Sequence, residues 1–341
     1  MEFLYEYGVF FAKAVTIVVA IIVVVASVAA QAGKQKQSKG QLSIESISEK
    51  LDTLVEYARE TLLSKDELKA LKKKEKKDSK NKKNKDSEES KDGNLFVIDF
   101  KGSMDAHEVD GLREEVTAIL SVAKPDDEVL VKVESGGGVV HGYGLAASQL
   151  KRIRDKNLKL TISVDKVAAS GGYMMACVAD EIIASPFAII GSIGVIAQLP
   201  NFNKILKNNN VEFEQHTAGE YKRTLTMFGE NTDAGREKFR QELEDVHGMF
   251  KQFVQQHRPE LDIDGVATGE YWYGDKALEL GLVDKIQTSD DFVLTANESK
   301  KIYSVAFSNK KTMAEKLGFG ISTAVERSAM RLWERSQSLF K

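Results

Sequence analysis

The stretch from Leu158 to Ala179 constrains this chain more than any other. A β-rich run, Leu158 to Val164, ends at Asp165 and Lys166. Val167, two alanines, Ser170 and two glycines follow, and then a run that reads as a helix over Gly171 to Ala179. This order predicts a strand that turns sharply into a helix with a serine at the turn. A hydroxyl held there faces whatever approaches the end of the strand. The following N–H groups point the same way, and the helix dipole favours negative charge. Small neighbours let a peptide backbone come close. These are the requirements of an acyl-transfer nucleophile.

A serine hydroxyl attacks only when a base takes its proton. The best candidate base is Lys222, in the segment Thr217-Ala-Gly-Glu-Tyr-Lys-Arg-Thr224, between an expected strand (Val211 to His216) and a long helix. A lysine serves as base only when neutral, and burial among apolar groups favours that form. A third element is Glu134-Ser-Gly-Gly-Gly138, directly after the β-run Glu128 to Val133. Consecutive glycines after a strand can aim backbone N–H groups at a developing oxyanion. Removing one such donor typically costs ~10²–10³ in rate.

Three segments, VAASGGYMMA, GSIGV (Gly191 to Val195) and GEYKR, resemble those of the S49 signal-peptide-peptidase family. MDAHEV (Met104 to Val109), VHGYGLAASQL (Val140 to Leu150) and ATGEYWYG (Ala267 to Gly274) look like one membrane-bound bacterial branch of it. The resemblance covers roughly residues 1–290, and its motifs agree in order and spacing. It implies an α/β fold of the ClpP/crotonase superfamily, built from ββα spiral turns, and a Ser–Lys dyad. By position the nucleophile falls on Ser170 and the base on Lys222. The oxyanion donors fall on Gly137 or Gly138 together with Gly171, and Ser192 is similar to a serine that orients the lysine amine. The family's Ser-Pro-Gly-Gly here reads Ser135-Gly136-Gly137-Gly138, so a flexible residue stands where proline would fix φ. The resemblance also implies peptide or unfolded-polypeptide substrates, namely signal peptides or misfolded envelope polypeptides. Homo-oligomers are expected, with no cofactor, and the histidine spacing implies no metal.

Residues Ala14 to Gly33 carry no charge and are dominated by Val and Ile. Twenty helical residues span ~30 Å, the thickness of a bilayer core. A cleaved signal peptide competes, because Ala30-Gln-Ala32 resembles a cleavage site. Glu2 and Glu6, in place of a basic leader, favour a retained transmembrane helix over residues 9–32. The expected location is the bacterial inner membrane. Lys34, Lys36, Lys39 and Lys50 after the anchor favour a cytoplasmic bulk, whereas the resemblance implies a periplasmic one. A second uncharged run, Ile182 to Leu199, is interrupted by Pro186, Gly191 and Gly194 and reads as buried strand and turn.

The remaining organisation follows from periodicity and charge. Leu42, Ile44, Ile47, Leu51, Leu54, Val55, Ala58 and Leu62 predict an amphipathic stalk helix over residues 41–71, either packed on the domain or self-associating. A lysine-rich linker over 72–93 cannot bury enough apolar surface to order itself. The peptidase domain is expected over 94–290, with strands at Leu95 to Phe100 and Glu181 to Ala184 and a β-like Ser192 to Gln198. Helices are expected at Glu108 to Val122, Gly142 to Asp155, Asn203 to Asn208 and Gly235 to Gln256. Strands alternating with helices predict parallel pairing. An extension over 291–341 ends in a basic amphipathic helix, which could lie on a membrane or pack on a neighbouring subunit. A net charge of −3 argues against a nucleic-acid binder, and the single cysteine, Cys177, excludes an intramolecular disulfide.

Two other functions compete with the peptidase. Ala168-Ala-Ser-Gly-Gly172 resembles an α/β-hydrolase elbow, which would need His216, His247 or His257 as base. A non-catalytic oligomeric membrane scaffold is compatible with Gly136 and the long tether. His107 and His141 show no metal-ligand spacing with the other histidines.

Overall fold

A computed structural model describes residues 8–11, 13, 15, 16, 40–71, 73 and 93–308. The chain divides into two units, Leu42–Ala306 and a second formed by Met1–Gln41 with Phe307–Lys341. Most of the expected anchor (9–32), nearly all of the linker (72–93) and the C-terminal amphipathic helix lie outside the described residues. Among the described residues no helix is long and apolar enough to cross a membrane.

In chain order, β1 (Gln41–Ser46) leads into α1 (Ile47–Leu62), followed by β2 (Asn94–Lys101), α2 (Val109–Val122), β3 (Glu128–Glu134) and α3 (Val140–Arg154). Next come β4 (Lys159–Val164), β5 (Val167–Ala169), α4 (Gly171–Ala176), β6 (Glu181–Ala184) and β7 (Ile189–Gly191). Then follow α5 (Asn203–Asn208), α6 (Asp233–His257), α7 (Ile263–Val266), β8 (Tyr271–Tyr273) and α8 (Gly274–Glu279). The series closes with β9 (Lys285–Ile286), α9 (Ser289–Ala296) and β10 (Lys301–Ser308).

One sheet has the order β1-β10-β2-β3-β4-β6-β9, and the pairs from β10 to β9 are parallel. A parallel sheet covered on both faces needs apolar side chains pointing both ways. In β2, Phe96, Ile98 and Phe100 enter the main core with α2 and α3, while Leu95 and Val97 enter a second cluster with Leu130, Val293 and Ile302. The expected alternation of strands and helices is therefore present as a mixed α/β fold with a large parallel sheet.

A smaller sheet, β5-β7-β8, stands at the carboxyl end of the main one. It is joined to it by a parallel bridge between Ser135 and Ala168. Here β5 and β7 are parallel and β7 and β8 antiparallel.

Four local expectations differ from the structure. Residues 41–46 are a strand, because Leu42 and Ile44 alternate with polar neighbours before Ser46 accepts from the Glu49 N–H and starts α1. The helix after Ser170 stops at Ala176, and Cys177 caps it. The β-like stretch is Ile189–Gly191, not Ser192 to Gln198, and Val211 to His216 forms no strand. Past Gly191, the Ser192 N–H and the Ile193 carbonyl still bond to Glu270 and Gly269, but no strand pairing continues beyond them, and Val211 to His216 pairs with no strand among the described residues. On α1, Ile47 and Leu51 pack on the second cluster, whereas Leu54, Val55 and Leu62 are exposed. Beyond residue 290, β10 pairs with β2 inside the main sheet.

Candidate active site

Ser170 occupies the single residue between β5 and α4. Its backbone sits at φ 51°, ψ −117°, a conformation that side-chain-bearing residues rarely adopt. Such strain persists only where surrounding structure enforces it. The Ser170 N–H donates to the Gly191 carbonyl at 2.8 Å, and its carbonyl accepts from the Met174 N–H at 2.9 Å. Its side chain is left free of both bonds and half-buried.

The strand before it is fixed from one side by Ser135. The Ser135 N–H donates to the Val167 carbonyl at 2.9 Å, and the Ser135 carbonyl accepts from the Ala169 N–H at 3.0 Å. This bridge sets the glycine loop beside the serine. Gly137, at φ +87°, lies so close that a Cβ there would stand 2.8 Å from the Cβ of Ser170 and 2.7 Å from the Gly171 nitrogen. A Cβ on Gly138 would overlap the Met104 carbonyl oxygen.

The three glycines differ in their bonding. The Gly137 N–H donates to Ser135 Oγ at 3.1 Å. The N–H groups of Gly138 and Gly171 make no hydrogen bond among the described residues. Both glycines line the pocket that holds Ser170, a cleft of about 80 Å³ completed by Val140, Met174, Gly194, Val195, Ile196, Val246 and Phe250. The cleft is apolar apart from the serine and the backbone donors, which suits a carbonyl carbon approaching Ser170.

Ser192 leaves β7 next to Ser170, because Ala169 pairs with Gly191. It too has positive φ (50°), and its N–H donates to the Glu270 carbonyl at 2.7 Å. Lys222 is placed elsewhere. It is exposed and lines a separate open cleft of about 660 Å³ with Phe213, His216, Thr217, Met227 and Phe228. Within one chain, then, Ser170, Gly137, Gly138, Gly171 and Ser192 are brought together, and the lysine is not in the same pocket.

No histidine lines the Ser170 cleft among the described residues. His216 faces Glu214 at 3.4 Å in the Lys222 cleft, and His257 Nδ1 donates to the Phe253 carbonyl at 2.8 Å. His247 Nε2 is buried on α6 with no hydrogen-bond partner among the described residues.

One residue before Ser135, Glu134 meets Lys166 at 3.0 Å, and that contact holds its carboxyl below the ordinary range. Under the loop, burial raises the Tyr143 phenol above its ordinary value, so it stays neutral. The Asp105 carboxyl is held down to about 2 by hydrogen bonds from Ser103 and His107.

Val246 and Phe250, which are not among the residues expected at the site, supply one wall of the cleft from α6. Their four-residue spacing, on a helix otherwise rich in charge, was the available signal.

Comparison with known proteins agrees with the motif pattern. The sequence profile described as Peptidase family S49 N-terminal matches residues 2–150, and that described as Peptidase family S49 matches residues 152–303. A Haemophilus influenzae protein described as probable protease SohB is 48% identical, over 98% of this chain and 96% of that protein. A second protein of that description, from Buchnera aphidicola subsp. Schlechtendalia chinensis, is 51% identical over 86% of this chain and 100% of its own length. Among solved structures, a membrane-bound stomatin-specific protease in complex with a substrate peptide is 12% identical. That match covers 68% of this chain and 98% of the other, with a TM-score of 0.43.

Proposed function

The chain belongs to peptidase family S49, and on that premise we propose that it is a serine endopeptidase with Ser170 as nucleophile and Lys222 as base. The observation that carries the reading is the placement of Ser170 at a strained strand-to-helix turn, in one cleft with the unengaged N–H groups of Gly138 and Gly171. A substrate carbonyl entering that cleft meets a hydroxyl on its carbon and two donors on its oxygen.

The chemistry runs in two halves. Ser170 Oγ bonds to the scissile carbonyl carbon while its proton passes to the Lys222 amine. The Gly138 and Gly171 N–H groups hold the resulting oxyanion, with Gly137 packed behind them. The C–N bond then breaks, the lysine proton goes to the leaving amine, and an acyl-enzyme remains. Water adds to that ester with the amine again taking the proton, and Ser170 leaves protonated. Ser192, beside Ser170 at the end of β7, orients the amine.

Lys222 reaches Ser170 from a second copy of the chain in this reading. Two features support it. Among the described residues no base lines the cleft of one chain, and the segment bearing Lys222 exposes Phe202, Ile205, Val211, Phe213 and Phe228. Exposed apolar residues on this scale favour association. The domain is of the ClpP/crotonase spiral type over 94–290, carried on the stalk and lysine-rich tether. A retained helix over 9–32 anchors it in a bacterial inner membrane, where released signal peptides or misfolded envelope polypeptides are its substrates. The apolar run Ala14 to Gly33 supports the anchor.

The test is peptide cleavage by purified full-length protein with Ser170→Ala and Lys222→Ala. Each substitution is expected to remove cleavage and fluorophosphonate labelling. Full activity in either variant overturns the dyad.

A further inference from the structure

We infer that Tyr143 is a positioning residue for the oxyanion donors, holding the glycine loop through Ser135 and the turn at Gly171 through its ring. The inference rests on the reading of Gly138 and Gly171 as those donors. Tyr143 and Ser135 are buried, at 0% and 2% exposure, and neither belongs to the dyad.

Their hydrogen bonds run in one direction. The Gly137 N–H donates to Ser135 Oγ at 3.1 Å. Ser135 Oγ and Tyr143 Oη are 2.5 Å apart, and Tyr143 Oη donates to the Ser103 carbonyl at 2.7 Å. A phenol has one proton. With that proton on Ser103, the proton between the two hydroxyls belongs to Ser135. The order is therefore Gly137 N–H to Ser135, Ser135 to Tyr143, and Tyr143 to Ser103. Each hydroxyl both donates and accepts, an arrangement in which every bond polarises the next.

The same tyrosine supports the other donor. A Cβ added to Gly171 would overlap Tyr143 Cγ, so the ring lies directly against the residue that follows the nucleophile. A Cβ on Gly102 would overlap the Tyr143 hydroxyl and stand 2.8 Å from Ser135 Oγ, which leaves the pair no room to move apart. Ser135 is also tied through its main chain to Val167 and Ala169. What stays free is rotation of the peptides from Gly136 to Gly138, and the bond at Gly137 governs that rotation. It matters more here because position 136 is glycine with nothing near its Cβ direction.

Tyr173, also fully buried, donates its hydroxyl to the Leu282 carbonyl at 3.0 Å and is the simpler case. Tyr143 spans Ser103, whose neighbour Met104 packs on Gly138, together with Ser135 and Gly171 on either side of the glycine loop.

The experiment uses full-length protein, a cleavable peptide and a peptide aldehyde, whose hemiacetal carries the oxyanion. Tyr143→Phe keeps the ring and removes the hydroxyl, and Ser135→Ala removes the acceptor for Gly137. Each is expected to lower kcat about tenfold or more, with KM within about twofold. Aldehyde affinity should fall by the same factor as kcat/KM. The uncleaved peptide should bind Ser170→Ala and the Ser170→Ala/Tyr143→Phe double variant equally. The Ser135→Ala/Tyr143→Phe pair should be no worse than either alone. In the Ser170→Ala background, amide exchange at Gly137 should quicken when Tyr143 becomes Phe.

Unchanged kcat, aldehyde affinity and exchange in both single variants overturn the inference. If Tyr143→Phe fails to fold, Ser135→Ala decides by the same readouts. Ser170→Ala in the same assay separates the two readings. If it still cleaves, the nucleophile assignment falls and this inference with it. If it is inactive while the Tyr143 and Ser135 variants match the parent, only this inference falls.

Discussion

At the scale of single residues, the glycines around Ser170 divide by what surrounds them. Gly136 has no atom within 4 Å of its Cβ direction and no positive φ, so a larger residue fits. Gly136→Pro should therefore stabilise the protein by about 0.4–1 kcal/mol, through a less mobile unfolded chain. Thermal unfolding would register it as a higher Tm, with the cleavage rate equal to or above the parent's. A fall in Tm would mean that the loop needs the freedom of glycine. Gly138 is the opposite case, because any Cβ there meets the Met104 carbonyl, which also accepts from the Val139 N–H at 2.8 Å. Gly138→Ala should displace the loop and lower kcat by about 10², as read in a peptide-cleavage assay. The turn at Ser170 was legible in the sequence, since a strand run, a serine and two glycines are contiguous. Tyr143 was not. Its partners Ser103, Ser135 and Gly171 are dispersed in sequence, and no local pattern says that they meet.

Among the elements, the longest carries its burial at one end. Helix α6 runs from Asp233 to His257, yet its buried residues are Phe250 and Val254, in its last two turns. The other end is held by Thr232, whose Oγ1 accepts from the Gly235 N–H at 3.1 Å. Removing an N-cap usually costs about 0.5–2 kcal/mol. Because little apolar surface follows Thr232, Thr232→Ala should fray the first turns and leave the helix docked. Amide exchange over residues 233–238 should quicken while Tm falls by only a few degrees. A collapse of Tm would place the first half of α6 in the cooperative core. The same contrast explains which elements the sequence revealed. Runs such as Leu95 to Phe100 and Glu128 to Val133 are apolar on both faces and end at turn residues, so they read as strands without knowledge of their neighbours. By contrast, Tyr271–Tyr273 is a strand only because Ile189–Gly191 lies beside it, and Lys301–Ser308 because Asn94–Val97 does. Val211 to His216 has the composition of a strand and no such neighbour, so it stays irregular.

For the whole molecule, the proposed Ser170–Lys222 pair would make assembly part of the chemistry, because the two residues line separate clefts within one chain. If each site joins the serine of one copy to the lysine of the next, neither single variant is active alone, but a mixture of them is. In an equal mixture, about a quarter of the sites would pair an intact Ser170 with an intact Lys222. Co-assembled Ser170→Ala and Lys222→Ala proteins should therefore recover about a quarter of the parent's activity, and specific activity should fall on dilution as the assembly dissociates. An inactive mixture, with both variants assembled as the parent is, would instead require Lys222 to swing into the cleft of its own chain. The exposed residues favour the first outcome. Ile196 borders the Ser170 cleft and is 78% exposed, and Leu199 and Phe202 continue the apolar run toward Lys222. A surface of this kind is costly in an isolated chain and is relieved by burial against another. Such burial would also strip water from the amine beside Ser170. Proton transfer would then depend on the assembled state, leaving the dispersed chain inactive.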